Sequence, residues 1–391
     1  MPEGHSSTDG RVSKTSGRIQ SFNESNIAAL ERELDAPDDQ LRHRLNSHPA
    51  RSARVAAPRT LDDAQENILI QWIQQVKELS SLPTATQITT SANQILNLDR
   101  NNTTTISKAW VDRFIERLPD DLKPSKARLS KKKYLESSDL ETMQHWFDRL
   151  GALVAGVSSE NIYNFDETTF RIGEGMRPRM VITSSLRDRP VYDTDRNYTE
   201  WITTIECLAA NGWTADPFLV FQGEYFLEDW FEVEGLPKQA TFTLSPNGRI
   251  TEKTGWEWIQ FFHRKTKDRV ADGQQRLLLF RGQPQYLTYK FLRFCEQHLI
   301  VPFCFPPNIG HFMQPFDVKA FQDYKQYWKQ KHYSCFAPPD DADDEKSDFM
   351  EGFPPVREKA LRPQVITDAF ADQGIFPFDP SRMIQPLQQE L

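Results

Sequence analysis

Apolar positions recur at helical spacing through the first part of the chain and gather into strand-like runs through its middle. Ile27, Leu30 and Leu34, then Leu41 and Leu45, suggest two short helical fragments, with Asp35-Ala-Pro-Asp-Asp39 as punctuation between them. Thr60 reads as an N-cap, with Asp62 and Asp63 in the favourable first turn, and Leu69, Trp72, Ile73 and Val76 form one face of the helix that follows. Pro83 starts a second helix on which Ile88, Ala92, Ile95 and Leu96 repeat at three and four. A third, Ser107 to Leu118, turns Trp110, Val111, Phe114 and Ile115 inward. Met143, Trp146, Phe147 and Leu150 mark one more amphipathic helix. The pattern then changes: Asn161 to Asp166, Trp201 to Leu208, Pro217 to Phe221, Arg276 to Phe280 and Ile300 to Phe305 read as strands. Helices are expected at Thr288 to His298, Phe316 to Lys331 and Val365 to Phe370, with a turn at Phe376 to Pro380. Three short helices followed by strands that first meander and then alternate with helices predict an all-α region joined to a mixed α/β sheet.

Composition narrows this little, and charge narrows it more. With 391 residues, 38% hydrophobic and 26% charged, the chain has room for two or three domains of ordinary globular make-up. No apolar run approaches the ~18–20 residues that span a bilayer, so no membrane partner is expected. The polar stretch Met1 to Gly10 lacks the apolar core of a secretory signal. Cys207, Cys295, Cys304 and Cys335 form no CxxC pair, so reduced thiols are expected rather than a zinc site or disulfides. The net charge of −8 looks unsuited to nucleic acid until it is divided. Leu41 to Lys133 holds 16 basic against 9 acidic residues, a surplus of seven, which leaves the remainder at −15. Phosphate contacts need local positive charge, not a basic total. The stretch Arg42 to Arg59, with Arg51 and Arg54, reads as a basic linker. Lys108 and Arg113 lie on the third helix, and Lys126, Arg128, Lys131, Lys132 and Lys133 follow it. These nine are the candidate DNA contacts, in a helix-turn-helix setting with a basic exit. The acidic run Pro338 to Glu351 reads as a solvated loop.

Several motifs resemble those of pogo-type DDE transposases, the branch of the mariner superfamily related to centromere protein B. Asn164-Phe-Asp-Glu-Thr168 is similar to the first catalytic motif, and Ala210-Asn-Gly-Trp213 through Gly223 to the following strands. Gly255-Trp-Glu-Trp-Ile259, Arg276 to Phe291, Phe305-Pro-Pro-Asn308 and His311 to Asp317 continue the series, and Gly374 to Asp379 resembles the closing motif. Thr60 to Lys133 is similar to a centromere-protein-B-type helix-turn-helix. The resemblance implies a disordered tail at 1–22, a shortened first helix-turn-helix and basic linker at 23–58, and a DNA-binding domain at 59–135. A ribonuclease H-like DDE domain at 136–335 and an acidic loop with a helical tail at 336–391 complete it. It also implies double-stranded DNA as partner, a nuclear location and Mg²⁺ or Mn²⁺ in an active form, with a homodimer left open.

Family chemistry on phosphodiesters uses two divalent metals about 3.5–4 Å apart, held by carboxylates. By resemblance the first and third ligands are Asp166 and Asp317. The second position departs: Leu277-Leu-Leu-Phe280 runs into Arg281-Gly282, where the family has Asp-Gly, 36 residues before Asp317. A guanidinium cannot deprotonate in a protein. About 4 Å from a divalent ion it repels that ion by several kcal/mol. Arg281 is therefore expected to pair with Asp166 or Asp317. Gln283 and Tyr286 also stand where the family pattern has His, while Asp272 and Asp323 lie out of register for rescue. Three readings compete: a transposase-derived DNA-binding protein with an impaired centre, an active transposase tolerating Arg281, and an unrelated enzyme using Asp166-Glu167 as an acid/base pair. The last has no nucleophile elbow or phosphate loop beside it. His263, His298 and His311 are expected to be structural or solvent-facing.

Overall fold

The computed structural model describes residues 61–98, 105–124, 136–172, 200–226, 228–316, 324–326 and 342–390. The chain divides into two compact units at Asp63, and the second, Ala64–Leu391, contains both the helical region and the sheet. The readings made for the first 58 residues, for Lys126 to Lys133, for Asp317 and for Cys335 lie outside the described residues.

Three helices open the described chain: α1 (Asp63–Leu79), α2 (Ala85–Leu96) and α3 (Lys108–Arg117). The apolar faces read from the sequence are the buried ones, Leu69, Trp72, Ile73 and Val76 on α1 and Ile88, Ala92, Ile95 and Leu96 on α2. On α3 Trp110, Val111 and Phe114 are buried, while Ile115 is only half-buried. Thr84, one residue after Pro83, caps α2, and its side chain and that of Gln87 close a reciprocal capping box. Ser107 caps α3 at the Trp110 amide.

After α4 (Ser137–Val154) come six strands: β1 (Ile162–Ile172), β2 (Glu200–Ala209), β3 (Phe218–Gln222), β4 (Thr241–Ser245), β5 (Arg276–Phe280) and β6 (Ile300–Cys304). They form one mixed sheet in the order β4-β3-β2-β1-β5-β6. β1 is antiparallel to β2 and parallel to β5, and β5 is parallel to β6. This is the α/β domain with a mixed sheet that the sequence led us to expect. Edge strand β4 was not foreseen.

Helices cover both faces. On one side α5 (Glu252–Thr266) and α6 (Tyr289–Gln297) pack an aromatic core in which Phe165 lies 3.8 Å from Trp258 and 5.1 Å from Phe280, centroid to centroid. On the other, Ile162, Phe170, Leu277 and Leu279 share a core with Trp146 and Phe147 of α4, and with residues from α7 (Ala342–Ala360), α8 (Pro363–Asp372) and α9 (Ser381–Glu390).

Two expectations need correction here. The acidic run was read as a solvated loop through Glu351, yet the chain is helical from Ala342. Phe349, Met350 and Phe353 are buried in the main core, and that apolar stripe outweighs the carboxylates around it. The first strand was expected to end at Asp166, but β1 continues to Ile172. β2 holds the extension, pairing β1 from Tyr163 to Ile172, whereas β5 pairs it only from Ile162 to Asn164.

Candidate functional site

The register of three neighbouring strands builds the site. Asn164 on β1 pairs with Leu279 on β5 in the parallel ladder. Asp166 and Arg281 each lie two residues further along, so the pleat sends both side chains to the same face at the end of that ladder. Arg281 Nη2 donates to Asp166 Oδ1 at 2.6 Å and to Oδ2 at 2.8 Å. The Asp166 side chain is 1% exposed and that of Arg281 23%. A charge-assisted pair of this kind, buried on one side, is among the stronger polar contacts a fold offers.

A second pair stands beside it, and the sequence reading missed it. Asp166 is directly opposite Glu206 on β2, so two carboxylates leave adjacent strands on one face. Glu206 is fully buried, and its oxygens accept from Arg357 Nε at 3.0 and 3.1 Å and from Nη2 at 3.0 Å. Tyr324 donates its hydroxyl to the same carboxylate at 3.1 Å. Burial works against the Arg357 charge, but Glu206 outweighs it and raises the guanidinium above its ordinary pKa. Across the face the order is Arg281, Asp166, Glu206, Arg357: each of two adjacent anions has its own cation. The available signal was a lone Glu inside the apolar strand Trp201 to Leu208.

Glu167 points to the opposite face. Its carboxylate accepts from Gln285 Nε2 at 2.9 Å and from the Tyr286 hydroxyl at 2.5 Å. Burial raises its pKa despite the lowering effect of those two bonds and of Arg281. Asp166 and Glu167 thus diverge across the sheet and do not converge on one substrate atom, which removes the geometric basis for an Asp166-Glu167 acid/base pair.

Whether divalent metals suit these residues is answered by the donor set. A cation ~4 Å from a divalent ion costs about 8 kcal/mol at an effective dielectric near 20. Here that cation sits on both oxygens of Asp166. Among the described residues no three His, Cys, Asp or Glu side chains group as a metal site. Asp166, with Arg281 on both of its oxygens, does not fit a metal pair.

Of the candidate DNA contacts, Lys108 and Arg113 are exposed on α3, and the other seven lie outside the described residues. The rings of His263 and His298 lie 4.0 Å apart, tilted by 34°, beside buried Arg276, which donates to His263 Nδ1 at 3.2 Å and to the His298 carbonyl. Burial first, then His298 and Arg276, lower the His263 pKa from 6.5 to about 4. A folded-state pKa below the unfolded one favours the native state above pH 6.5, and that contribution is lost as pH falls towards 4. Titration of the His263 ring protons should give a midpoint near 4, with stability falling across the same window. A midpoint at the ordinary 6.5 would contradict this environment.

Comparison with known proteins gives two family matches. Residues 198–370 match the DDE superfamily endonuclease, and residues 62–126 match the Tc5 transposase DNA-binding domain. Among curated proteins, the chain is 28% identical over 242 residues to the MFS-type transporter clz9 of Cochliobolus lunatus, a match covering 60% of this chain and 25% of that protein. It is 25% identical over 186 residues to the chaetoglobosin A biosynthesis cluster protein C of Chaetomium globosum, covering 47% of this chain and 43% of the relative. The chain therefore spans less than half the length of either relative. No helix among the described residues is long and apolar enough to cross a membrane. Among solved structures, the Mos1 mariner paired-end complex with Mn gives a TM-score of 0.38 at 12% identity, covering 99% of this chain and 98% of that one. The Mos1 strand transfer complex gives 0.40 at 10%, covering 98% and 96%.

Proposed function

We propose that this chain, in which a region matching the Tc5 transposase DNA-binding domain precedes one matching the DDE superfamily endonuclease, is of the pogo and mariner kind and binds double-stranded DNA while its endonuclease centre is impaired. The observation that carries the second half is the Arg281 guanidinium seated on both oxygens of Asp166. At the second of the three family positions in the sequence, a permanent cation supplies beside Asp166 the positive charge that a metal would bring. It offers no Lewis acid and no activated water. Asp166 then serves to hold Arg281.

DNA binding rests on the helical region and its surplus of basic residues. Phosphate contacts from Lys108 and Arg113 on α3, and from the basic residues flanking the three helices, release counterions from the duplex. A nuclear location belongs to the same proposal. Mobility shifts on linear duplex DNA in EDTA should show binding that weakens steeply with salt. Lys108→Ala/Arg113→Ala should flatten the slope of log K against log salt by about 1.8. Binding indifferent to salt, or dependent on added Mg²⁺, would count against the proposal.

A further inference from the structure

The segment that follows Arg281 is held at both ends by the helical region. Ser80, just after α1, closes on Gly282: a Cβ there would lie 2.5 Å from Ser80 Oγ and 2.8 Å from Ser80 Cβ. Trp72 of α1 donates its buried Nε1 to the Leu287 carbonyl at 2.8 Å. α2 then reaches the first turn of α6. Ser91 Oγ accepts from the Tyr289 amide at 3.2 Å, and Gln94 Oε1 accepts from the Lys290 amide at 2.9 Å.

The first amides of a helix have no partner within it and need one from outside. In α6 only the third of them, Phe291, is met by its own cap, Thr288. The first two are capped in trans by side chains of the helical region. Thr90 of α2 adds a bond to Glu252 at the start of α5, and Arg149 of α4 donates to the Glu78 carbonyl. Four contacts thus span residues 282 to 290, from one residue after Arg281 into the helix that follows.

We propose that the DNA-reading helices act as a clamp on the Arg281 turn, so that occupancy of those helices by DNA is transmitted to the Asp166–Arg281 pair. Ser80, Trp72, Ser91 and Gln94 are positioning residues in this scheme. They act on the backbone at Gly282, Leu287, Tyr289 and Lys290, which follows Arg281 along the chain. α2 belongs to the three-helix unit and also caps α6, so a shift of that unit on DNA displaces the caps. The DNA half of this inference rests on the function proposed above, and the clamp half does not.

Hydrogen exchange, followed residue by residue, tests both halves on the full chain. Ser91→Ala/Gln94→Ala removes the two caps without altering the Arg281 turn. Exchange at the Tyr289 and Lys290 amides should quicken about fivefold per lost bond, with the α1 and α3 amides unchanged. Gly282→Ala, which pushes Ser80 away, should quicken the same stretch. Unchanged exchange at 282–290 in both variants would overturn the clamp. Adding saturating duplex DNA to the unaltered protein should change exchange at 282–290, and should do so less in the Ser91→Ala/Gln94→Ala variant. DNA that binds by mobility shift yet leaves 282–290 untouched overturns the coupling alone. DNA that fails to bind at all overturns the proposed function, and the coupling with it.

Discussion

Arg281→Ala should destabilise the folded chain by about 3 kcal/mol, because it strands a buried carboxylate without its counter-ion. The Asp166 side chain is 1% exposed and cannot recover its solvation by rotating outward. Arg281 is 23% exposed, which places the cost at the lower end of the usual range for a broken buried pair. A fall in melting temperature of roughly 6 °C or more should be seen by calorimetry. Asp166→Asn together with Arg281→Ala should recover part of the loss, since no uncompensated charge then remains. The unaltered protein should melt at the same temperature with Mg²⁺, with Mn²⁺ or with EDTA, because the charge that would call for a metal is already met. A melting point that rises with Mg²⁺ in the unaltered chain would show that the cation does not close the site.

The second large effect is at the neighbouring pair. Arg357→Met should cost about 3–5 kcal/mol, since Glu206 is wholly buried and its charge is met by Arg357 from a distant helix. Adding Glu206→Gln should restore much of this, because a neutral amide keeps an acceptor for Tyr324 and removes the stranded charge. Denaturant melts of the three proteins measure the coupling directly. A single variant no less stable than the starting protein would mean that the row of alternating pairs adds nothing to the fold.

The helical faces and the main strands could be read from residue spacing because burial and periodicity agree there: Leu69, Trp72, Ile73 and Val76 need only a helix to meet one another. The pairing of Arg281 with Asp166 was also within reach, since the Phe280-Arg281-Gly282 junction keeps its place after an apolar strand. Its geometry was not. Which face Arg281 takes depends on the pairing of Asn164 with Leu279, a register between segments more than a hundred residues apart. Glu206 and Arg357 stayed hidden for the same reason, as nothing local links a strand residue to a helix beyond an acidic run. That run also concealed the helix from Ala342, because its charge is easier to see than the spacing of Phe349 and Phe353. The extension of β1 past Asp166 follows from ten residues of pairing with β2, which no pattern within β1 announces.

Nicking of supercoiled plasmid DNA in Mg²⁺ or Mn²⁺ tests the central claim, that the permanent cation on Asp166 replaces a metal and disables cleavage. The unaltered protein, bound to the plasmid at low salt, should leave it supercoiled in either metal and give the same result in EDTA. Metal-dependent nicking that disappears in Asp166→Ala would contradict the account, because it would show Asp166 serving chemistry with Arg281 in place.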